Sequence, residues 1–143
     1  MTIRGMTSTD VAAVVALGQN VGELAVSDQS LWWGESRLQS WVDAGQDILL
    51  VADADGQVVG VQLTWVHAPT RMLYLSDIVV DPKWRGQGIA KALLEETLSR
   101  AHLLGLDWAY GLTQPTNERI QQLLQAHGFT KGEDLVWYEK KPL

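Results

Sequence analysis

The stretch Asp77–Glu96, DIVVDPKWRGQGIAKALLEE, changes character in its middle. It begins as an apolar run typical of a buried strand, passes a proline and two glycines, and continues with apolar residues at helical spacing. Glycine lets a backbone approach a ligand closely, and a helix N-terminus presents unpaired N–H groups. The turn at 85–90 therefore predicts a phosphate or diphosphate site, to which Arg85 and Lys91 add charge. A tight turn that uses glycine only for its geometry is the alternative.

Neither common nucleotide-binding fingerprint fits this turn. The Walker pattern needs Gly-Lys followed by Ser or Thr, which the sequence lacks. The dinucleotide pattern needs a glycine where Lys91 stands, and it normally opens a regular βαβ unit. The spacing by itself leaves the ligand open.

The elements around the turn follow from apolar periodicity, which predicts a strand, two helices, three strands, a helix, a strand, a helix and a last strand. The helices are predicted after the Ser/Thr-rich stretch 7–10, around Leu38–Val42, and over 87–104 and 117–127. The last strand, 134–141, is predicted at a sheet edge because of its lysines. This order indicates an α/β chain that begins with an antiparallel meander, not a doubly wound fold.

Strict alternation assigns side chains to the two faces of each predicted strand. One strand is predicted to place four apolar residues on one face: Val59, Val61, Leu63 and Trp65. The next strand is predicted to separate Tyr74, Ser76, Ile78 and Val80 from Leu73, Leu75, Asp77 and Val79. Three tryptophans, Trp41, Trp65 and Trp108, are predicted in the core.

The composition and net charge of the chain argue against several classes of function. The 143 residues, 46% hydrophobic and 20% charged, predict about one domain with a single core. The net charge of −6 argues against a nucleic-acid surface and mildly favours cationic partners. The absence of cysteine excludes disulfides and a cysteine nucleophile, and the three histidines lack metal-ligand spacing, so we expect no metal. With no secretory signal and no apolar run near ~18 residues, we expect a cytoplasmic protein without a membrane partner.

The residues 80–94, VDPKWRGQGIAKALL, resemble the acyl-CoA motif of the GNAT N-acetyltransferases. That motif reads Gln/Arg-x-x-Gly-x-Gly/Ala, and Arg85, Gly88 and Ala90 occupy its fixed positions. The resemblance extends to the opening strand and helix, to the second and third strands, and to Asn117–Phe129, which resembles the family's last helix ending in Gly-Phe. It implies a single GNAT domain over 1–143, with a mixed, mostly antiparallel sheet of about six to seven strands and about four helices.

The resemblance also implies acetyl-CoA as co-substrate. Backbone amides of Gly86–Ala90 would hold its pyrophosphate, the strand backbone at Ile78 and Val80 would pair with the pantetheine arm, and Asn117 would contact the region near the thiol. A backbone N–H near Val79 or Val80 would stabilise the oxyanion. The implied cofactor-binding residues are Ile78, Val79, Val80, Arg85, Gly86, Gln87, Gly88, Ile89, Ala90, Lys91 and Asn117.

Catalysis requires a base, because an alkyl ammonium has a pKa near ~10.4. Asp77, in an apolar strand just before the cofactor-pairing residues, is the candidate. Its alternative is a structural carboxylate that caps a backbone group or pairs with an arginine. Many family members carry a tyrosine, proposed to protonate the thiolate, where this chain has Leu124.

The acceptor amine is left open by the sequence, from small molecules such as polyamines and aminoglycosides to peptide and protein amines. The resemblance implies that Trp32 or Trp33 lies at the acceptor pocket and that a homodimer is possible. Two other hypotheses stay open: a CoA-binding module of the same fold without catalysis, and an unrelated nucleotide-binding α/β protein.

Overall fold

The computed structural model of the chain describes residues 1–21, 27 and 32–143. The elements of this part are β1 Thr2–Gly5, α1 Val11–Gln19, α2 Glu35–Ala44, β2 Leu49–Ala54, β3 Gln57–His67, β4 Met72–Val80, α3 Ile89–Leu103, β5 Trp108–Gly111 and α4 Glu118–Ala126. The strands form one sheet in the order β1-β2-β3-β4-β5. All its pairings are antiparallel except that of β4 with β5, which is parallel.

The predicted α/β fold is confirmed, but the described residues form five strands and not six to seven. The segment 134–141, predicted as the last strand, belongs to no strand. Its residues Leu135 and Tyr138 are 73% and 90% exposed. Alternating apolar residues form a strand only where a neighbour satisfies their backbone N–H and C=O groups, and within the described residues this segment has no such neighbour.

The sheet separates two apolar cores. On one face α1 and α2 pack over the sheet, and Val14, Leu38 and Leu63 are fully buried there. On the other face α3 and α4 pack, with Leu73 and Leu93 fully buried. Each such side chain contributes about 1.5–3 kcal/mol through its burial. No described helix is both long and apolar enough to cross a membrane.

A β-bulge in β3 overturns the predicted face of Val59. The register between β2 and β3 shifts at this point and leaves Val59 as the extra residue. Val59 therefore packs in the core under α3, whereas Val61 and Leu63 pack under α1 and α2. Trp65 shares their face but is 44% exposed, so its predicted core position is wrong.

A second bulge, in β4, determines where Asp77 lies. Leu63 is paired with Asp77 and Thr64 with Leu75, so Ser76 is the extra residue. Beyond the bulge the faces exchange: Ile78 and Val80 join Leu73 and Leu75 in the core under α3 and α4, and Val79 packs under α1 and α2. Strict alternation is therefore wrong for this strand. Asp77 and Tyr74, which alternation separated, lie on one face.

Candidate functional site

The glycine turn, residues 85–90, follows β4 after residues 81–84, of which Pro82–Trp84 form a short 3-10 helix. Gly86 and Gly88 both have a φ of 78°, in the left-handed region that favours glycine, and Gly88 is the N-cap of α3. A Cβ added at either glycine would meet no atom within 4 Å, so the backbone of the turn is open to its surroundings. Because the first N–H groups of a helix have no intrahelical acceptor, this open backbone is suited to an anion.

Contacts on the protein side hold the glycine turn in place. Gly60 in β3 lets α3 approach the sheet, because a Cβ there would lie 3.0 Å from Cγ2 of Ile89. The Arg85 Nε donates a hydrogen bond to the Val80 carbonyl at 3.3 Å, which ties the turn to the end of β4. Arg85 therefore positions the turn, whereas Lys91 is exposed and lies 3.8 Å from Glu95.

The strands β4 and β5 pair along only half of β4. Their parallel pairing begins at Met72 with Trp108 and ends at Leu75 with Gly111, the last residue of β5. Among the described residues, positions 76–80 of β4 therefore have a strand neighbour on the β3 side alone. This open half of β4 is joined to the glycine turn by residues 81–84. An extended ligand can pair with such an edge through main-chain hydrogen bonds.

The predicted cofactor residues fall into two groups. All those from Ile78 to Lys91 lie along the open half of β4, the glycine turn and the first turn of α3. The side chain of Val79 is buried in the core, which leaves its backbone for ligand contacts. Asn117 lies apart from them as the N-cap of α4, where its Oδ1 accepts a hydrogen bond from the Ile120 N–H at 3.4 Å.

The Asp77 carboxylate is held by two neutral donors. Its Oδ2 accepts hydrogen bonds from the Trp33 Nε1 at 2.9 Å and from the Ser76 Oγ at 2.6 Å. Its backbone carbonyl accepts one from the buried Gln62 Nε2 at 2.9 Å, which steadies the bulge. The alternative pairing with an arginine is not found among the described residues.

The protein environment of the Asp77 carboxyl group favours its protonated form more than bulk water would. Burial raises the pKa of the Asp77 carboxyl above its ordinary value, and the hydrogen bonds from Ser76 and Trp33 offset part of that rise. Burial, with the nearby Asp77 charge, also raises the pKa of Tyr74. A raised pKa moves a carboxylate towards the range in which it is a useful base.

The two adjacent tryptophans have different surroundings. Trp32 packs against Gly18 of α1, where an added Cβ would lie 1.9 Å from its ring, and its Nε1 donates to the Val14 carbonyl at 3.2 Å. Trp33 donates to Asp77 and lines an open depression of about 400 Å³ beside α2. Of the two predicted acceptor-site residues, Trp33 is therefore the one beside the candidate base.

Six aromatic side chains, which we call the aromatic row, run from α2 across the sheet to β5. Its members are Trp41, Trp33, Trp65, Tyr74, Tyr110 and Trp108. Neighbouring ring centroids along the row lie 5.0–5.3 Å apart, apart from the 6.3 Å between Trp33 and Trp65. Trp108 is 59% exposed, so its predicted core position is wrong, whereas Trp41 is buried as predicted. The sequence shows aromatic residues on three strands, but the register that aligns them appears only in the fold.

Leu124 occupies the position at which many GNAT members carry a tyrosine. Leu124 is partly buried against the core under α3 and α4, and its carbonyl accepts the N–H of Phe129 at 3.1 Å. Leu124 has no proton to donate from its side chain. Among the described residues, no three His, Asp or Glu side chains are grouped as a metal site requires.

A family model of the GNAT acetyltransferase domain matches residues 45–131, more than half of the chain. The matched range contains β4, the glycine turn, α3 and α4. The chain belongs to the GNAT acetyltransferase family. Its predicted resemblance to that family is confirmed.

Relatives of this GNAT chain include a mycothiol acetyltransferase from Acidimicrobium ferrooxidans, 32% identical over 77% of the chain and 38% of the relative. The chain spans less than two-fifths of the length of the three mycothiol acetyltransferases it matches. In fold, it is similar to the ribosomal-protein-alanine N-acetyltransferase from Brucella melitensis, with a TM-score of 0.80, 24% identity, and 93% and 86% of the two chains covered.

A second solved structure with the same GNAT fold is an aminoglycoside N-acetyltransferase in complex with CoA. It has a TM-score of 0.74 and 22% identity, and the match covers 98% of this chain and 99% of the other. At such identities the two likenesses are likenesses of fold.

Proposed function

We propose that this GNAT chain, as a single domain over 1–143, transfers an acetyl group from acetyl-CoA to a primary amine. The observation that carries the proposal is the open half of β4 that leads into the glycine turn. An extended arm that ends in a diphosphate fits this arrangement, since the strand edge offers main-chain hydrogen bonds and the turn offers amides. Support comes from family membership and from a relative of the same fold whose structure contains CoA.

The cofactor side of the reaction rests on backbone groups. The amides of Gly86–Ala90 bind the diphosphate, and the backbone at Ile78 and Val80 pairs with the pantetheine arm. Acetyl-CoA, when bound, supplies the acyl group as a thioester. Asn117 contacts the arm near its thiol from the start of α4, in addition to capping that helix. Lys91 adds a positive charge at the start of α3.

The acceptor side uses Asp77. Asp77 takes the proton from the acceptor ammonium, directly or through a water, so that the neutral nitrogen attacks the thioester carbonyl. A backbone N–H at Val79 or Val80 donates to the oxygen on which negative charge develops. The C–N bond then forms, the C–S bond breaks so that the sulfur leaves as a thiolate, and the nitrogen loses its second proton to solvent. With a thiol pKa near ~8.5 the thiolate takes its proton from solvent, so Leu124 is tolerated at modest cost.

A thiol-release assay with acetyl-CoA and a panel of primary amines tests this function. We expect thiol release that requires both an amine and the enzyme. The names of two proteins of similar fold refer to a ribosomal-protein alanine and to aminoglycosides, so the panel includes a peptide with a free N-terminus and an amino sugar. A polyamine and an arylalkylamine add two further classes of amine. Binding of acetyl-CoA without thiol release from any amine would favour a CoA-binding module without catalysis, which Leu124 also permits.

The hydrogen bond from Trp33 predicts a pH effect. A base is active when deprotonated, so kcat/KM falls as the pH drops through the pKa of Asp77. Trp33→Phe retains a ring but removes the N–H that stabilises the carboxylate. The pKa of Asp77 then rises further, and the acidic limb of kcat/KM moves to higher pH. Trp32→Phe is the control, because its N–H goes to the Val14 carbonyl, and its limb stays in place. If the acidic limb of kcat/KM lies at the same pH in Trp33→Phe as in the wild type, the role of Asp77 as the base is contradicted.

A further inference from the structure

The aromatic row continues from the candidate base to the edge of the sheet. Trp33 donates to Asp77, and Tyr74 lies close enough for the Asp77 charge to affect it. From Tyr74 the row passes through Tyr110 to Trp108, which are 39% and 59% exposed. At a strand spacing of about 4.8 Å, the part from β3 to β5 is roughly 10 Å wide. An acceptor whose nitrogen lies at Asp77 therefore has an aromatic surface beside the rest of its body.

The aromatic rings of this surface pack against one another. Each of the three central rings, Trp65, Tyr74 and Tyr110, contacts at least two other rings of the row. Trp65 stacks on Tyr74 and Trp108 stacks on Tyr110, each pair with an interplanar angle of 27°, so one face of each of these rings is covered by its neighbour. A cation or a sugar ring binds an aromatic side chain over its face. The row is consequently less suited to a cation or a sugar ring than an isolated, open ring is. The positive charge of the acceptor is therefore bound by the Asp77 carboxylate.

The row offers few hydrogen bonds to a polar ligand. The Trp33 N–H is used by Asp77, and the Trp41 N–H donates to Asp47 at 2.7 Å. The other polar groups of the row are the phenols of Tyr74 and Tyr110 and the indole N–H groups of Trp65 and Trp108. A ligand with many hydroxyl groups would lose water there without enough partners, and an unpaired buried polar group is unfavourable.

Charges near the row favour a single positive charge on the ligand. Asp77 is the carboxylate between Trp33 and Tyr74, while Arg37 lines the depression at the α2 end. At the β5 end, Asp107 is paired with Arg71 at 2.6 Å. A second cationic group placed from Tyr74 towards Trp108 would meet a carboxylate, Asp107, that Arg71 already neutralises, so a polyamine gains little on this part of the row.

We propose that the acceptor is a primary monoamine with an aryl or similar apolar body, which lies along Tyr74, Tyr110 and Trp108 with its nitrogen at Asp77. This proposal rests on the acetyl transfer proposed above and specifies its acceptor. The ammonium gives one proton to Asp77, the neutral nitrogen forms the new C–N bond and loses a second proton to solvent, and the C–S bond breaks to release the thiolate. The apolar body supplies binding free energy through the area that it buries on the row.

Steady-state kinetics with four amines tests the acceptor class: phenethylamine, ethanolamine, glucosamine and spermidine. We expect kcat/KM for phenethylamine to exceed that for each of the other three by about tenfold or more, since burying an aromatic ring is worth more than 1.4 kcal/mol. Tyr110→Ala and Trp108→Ala each raise the KM for phenethylamine about fivefold to tenfold with little change in kcat, because they remove apolar contact and leave the reacting atoms in place. The KM for ethanolamine, which does not reach them, stays nearly constant.

Trp137→Ala is the matched control, because Trp137 is also exposed, at 52%, but is not a member of the aromatic row. It leaves both KM values unchanged. A preference for glucosamine or spermidine over phenethylamine, or an unchanged KM for phenethylamine in Tyr110→Ala, would overturn the proposal. If no amine releases thiol, the acetyl transfer fails instead. Calorimetry of phenethylamine with the CoA-bound protein then decides: binding weakened by Tyr110→Ala supports the row as a binding surface, and absence of binding overturns it.

Discussion

Asp77→Asn is expected to lower kcat for amine acetylation by a factor of about 10² to 10⁴, the range that a positioned general base contributes. The amide keeps the size of the carboxyl group, and its oxygen still accepts the hydrogen bond from Trp33. It has no basic site for the ammonium proton. Since the change also removes a charge that burial disfavours, we expect the melting temperature to be maintained. Steady-state kinetics at saturating acetyl-CoA measure the effect.

An unchanged cofactor affinity and a control variant separate the loss of the base in Asp77→Asn from a general loss of function. The affinity for CoA is unchanged, because the proposed cofactor contacts come from the backbone of β4 and the glycine turn and from Lys91 and Asn117, and none of them uses the Asp77 side chain. Asp55→Asn, in the exposed turn between β2 and β3, is the control for loss of one carboxylate and keeps full activity. An Asp77→Asn enzyme that retains kcat within a few-fold of the wild type would show that the proton goes elsewhere.

Gly88→Ala is expected to raise the dissociation constant for CoA by about tenfold, since the left-handed conformation costs a residue with a Cβ about 1–2 kcal/mol. Gly88 has a φ of 78° at the N-cap of α3. An alanine relieves the strain by leaving this region, which rotates the neighbouring amides away from the diphosphate. Binding must then restore the strained conformation. Calorimetric titration with CoA measures the change.

The control for Gly88→Ala is Gly105→Ala, just beyond the other end of α3. Gly105 has a φ of 75°, and a Cβ there also meets no atom within 4 Å. Both variants therefore carry similar backbone strain and a similar loss of stability, but Gly105→Ala keeps its affinity for CoA. Equal affinities in the two variants would mean that the glycine turn serves only the geometry of the chain.

Local patterns in the sequence predicted most of the fold because the helices and strands have strong periodicity. α3 was predicted over 87–104 and runs over Ile89–Leu103, and α4 was predicted over 117–127 and runs over Glu118–Ala126. The glycine turn was predicted from two glycines between a strand and a helix, and both have the positive φ that makes glycine necessary. These features depend on residues close together in the chain.

The features that the sequence did not predict depend on pairing between strands. The extra residue Ser76 in β4 is visible only in the register with β3, and it brings Asp77 to the face of Tyr74. The early end of β5 at Gly111, which leaves half of β4 open, is likewise a property of the sheet. The expected last strand at 134–141 failed for the same reason, since alternation does not reveal whether a partner strand exists.

The central claim is that the glycine turn binds the diphosphate of coenzyme A, and calorimetry with two ligands tests it most directly. CoA contains the diphosphate, whereas pantetheine has the same arm and thiol but lacks the diphosphate together with the phosphorylated adenosine. The account predicts that CoA binds and that pantetheine binds at least about a hundredfold more weakly, because it lacks the charge-assisted hydrogen bonds to the amides of Gly86–Ala90. No heat of binding with CoA at millimolar concentration, or equal affinity for the two ligands, would contradict it.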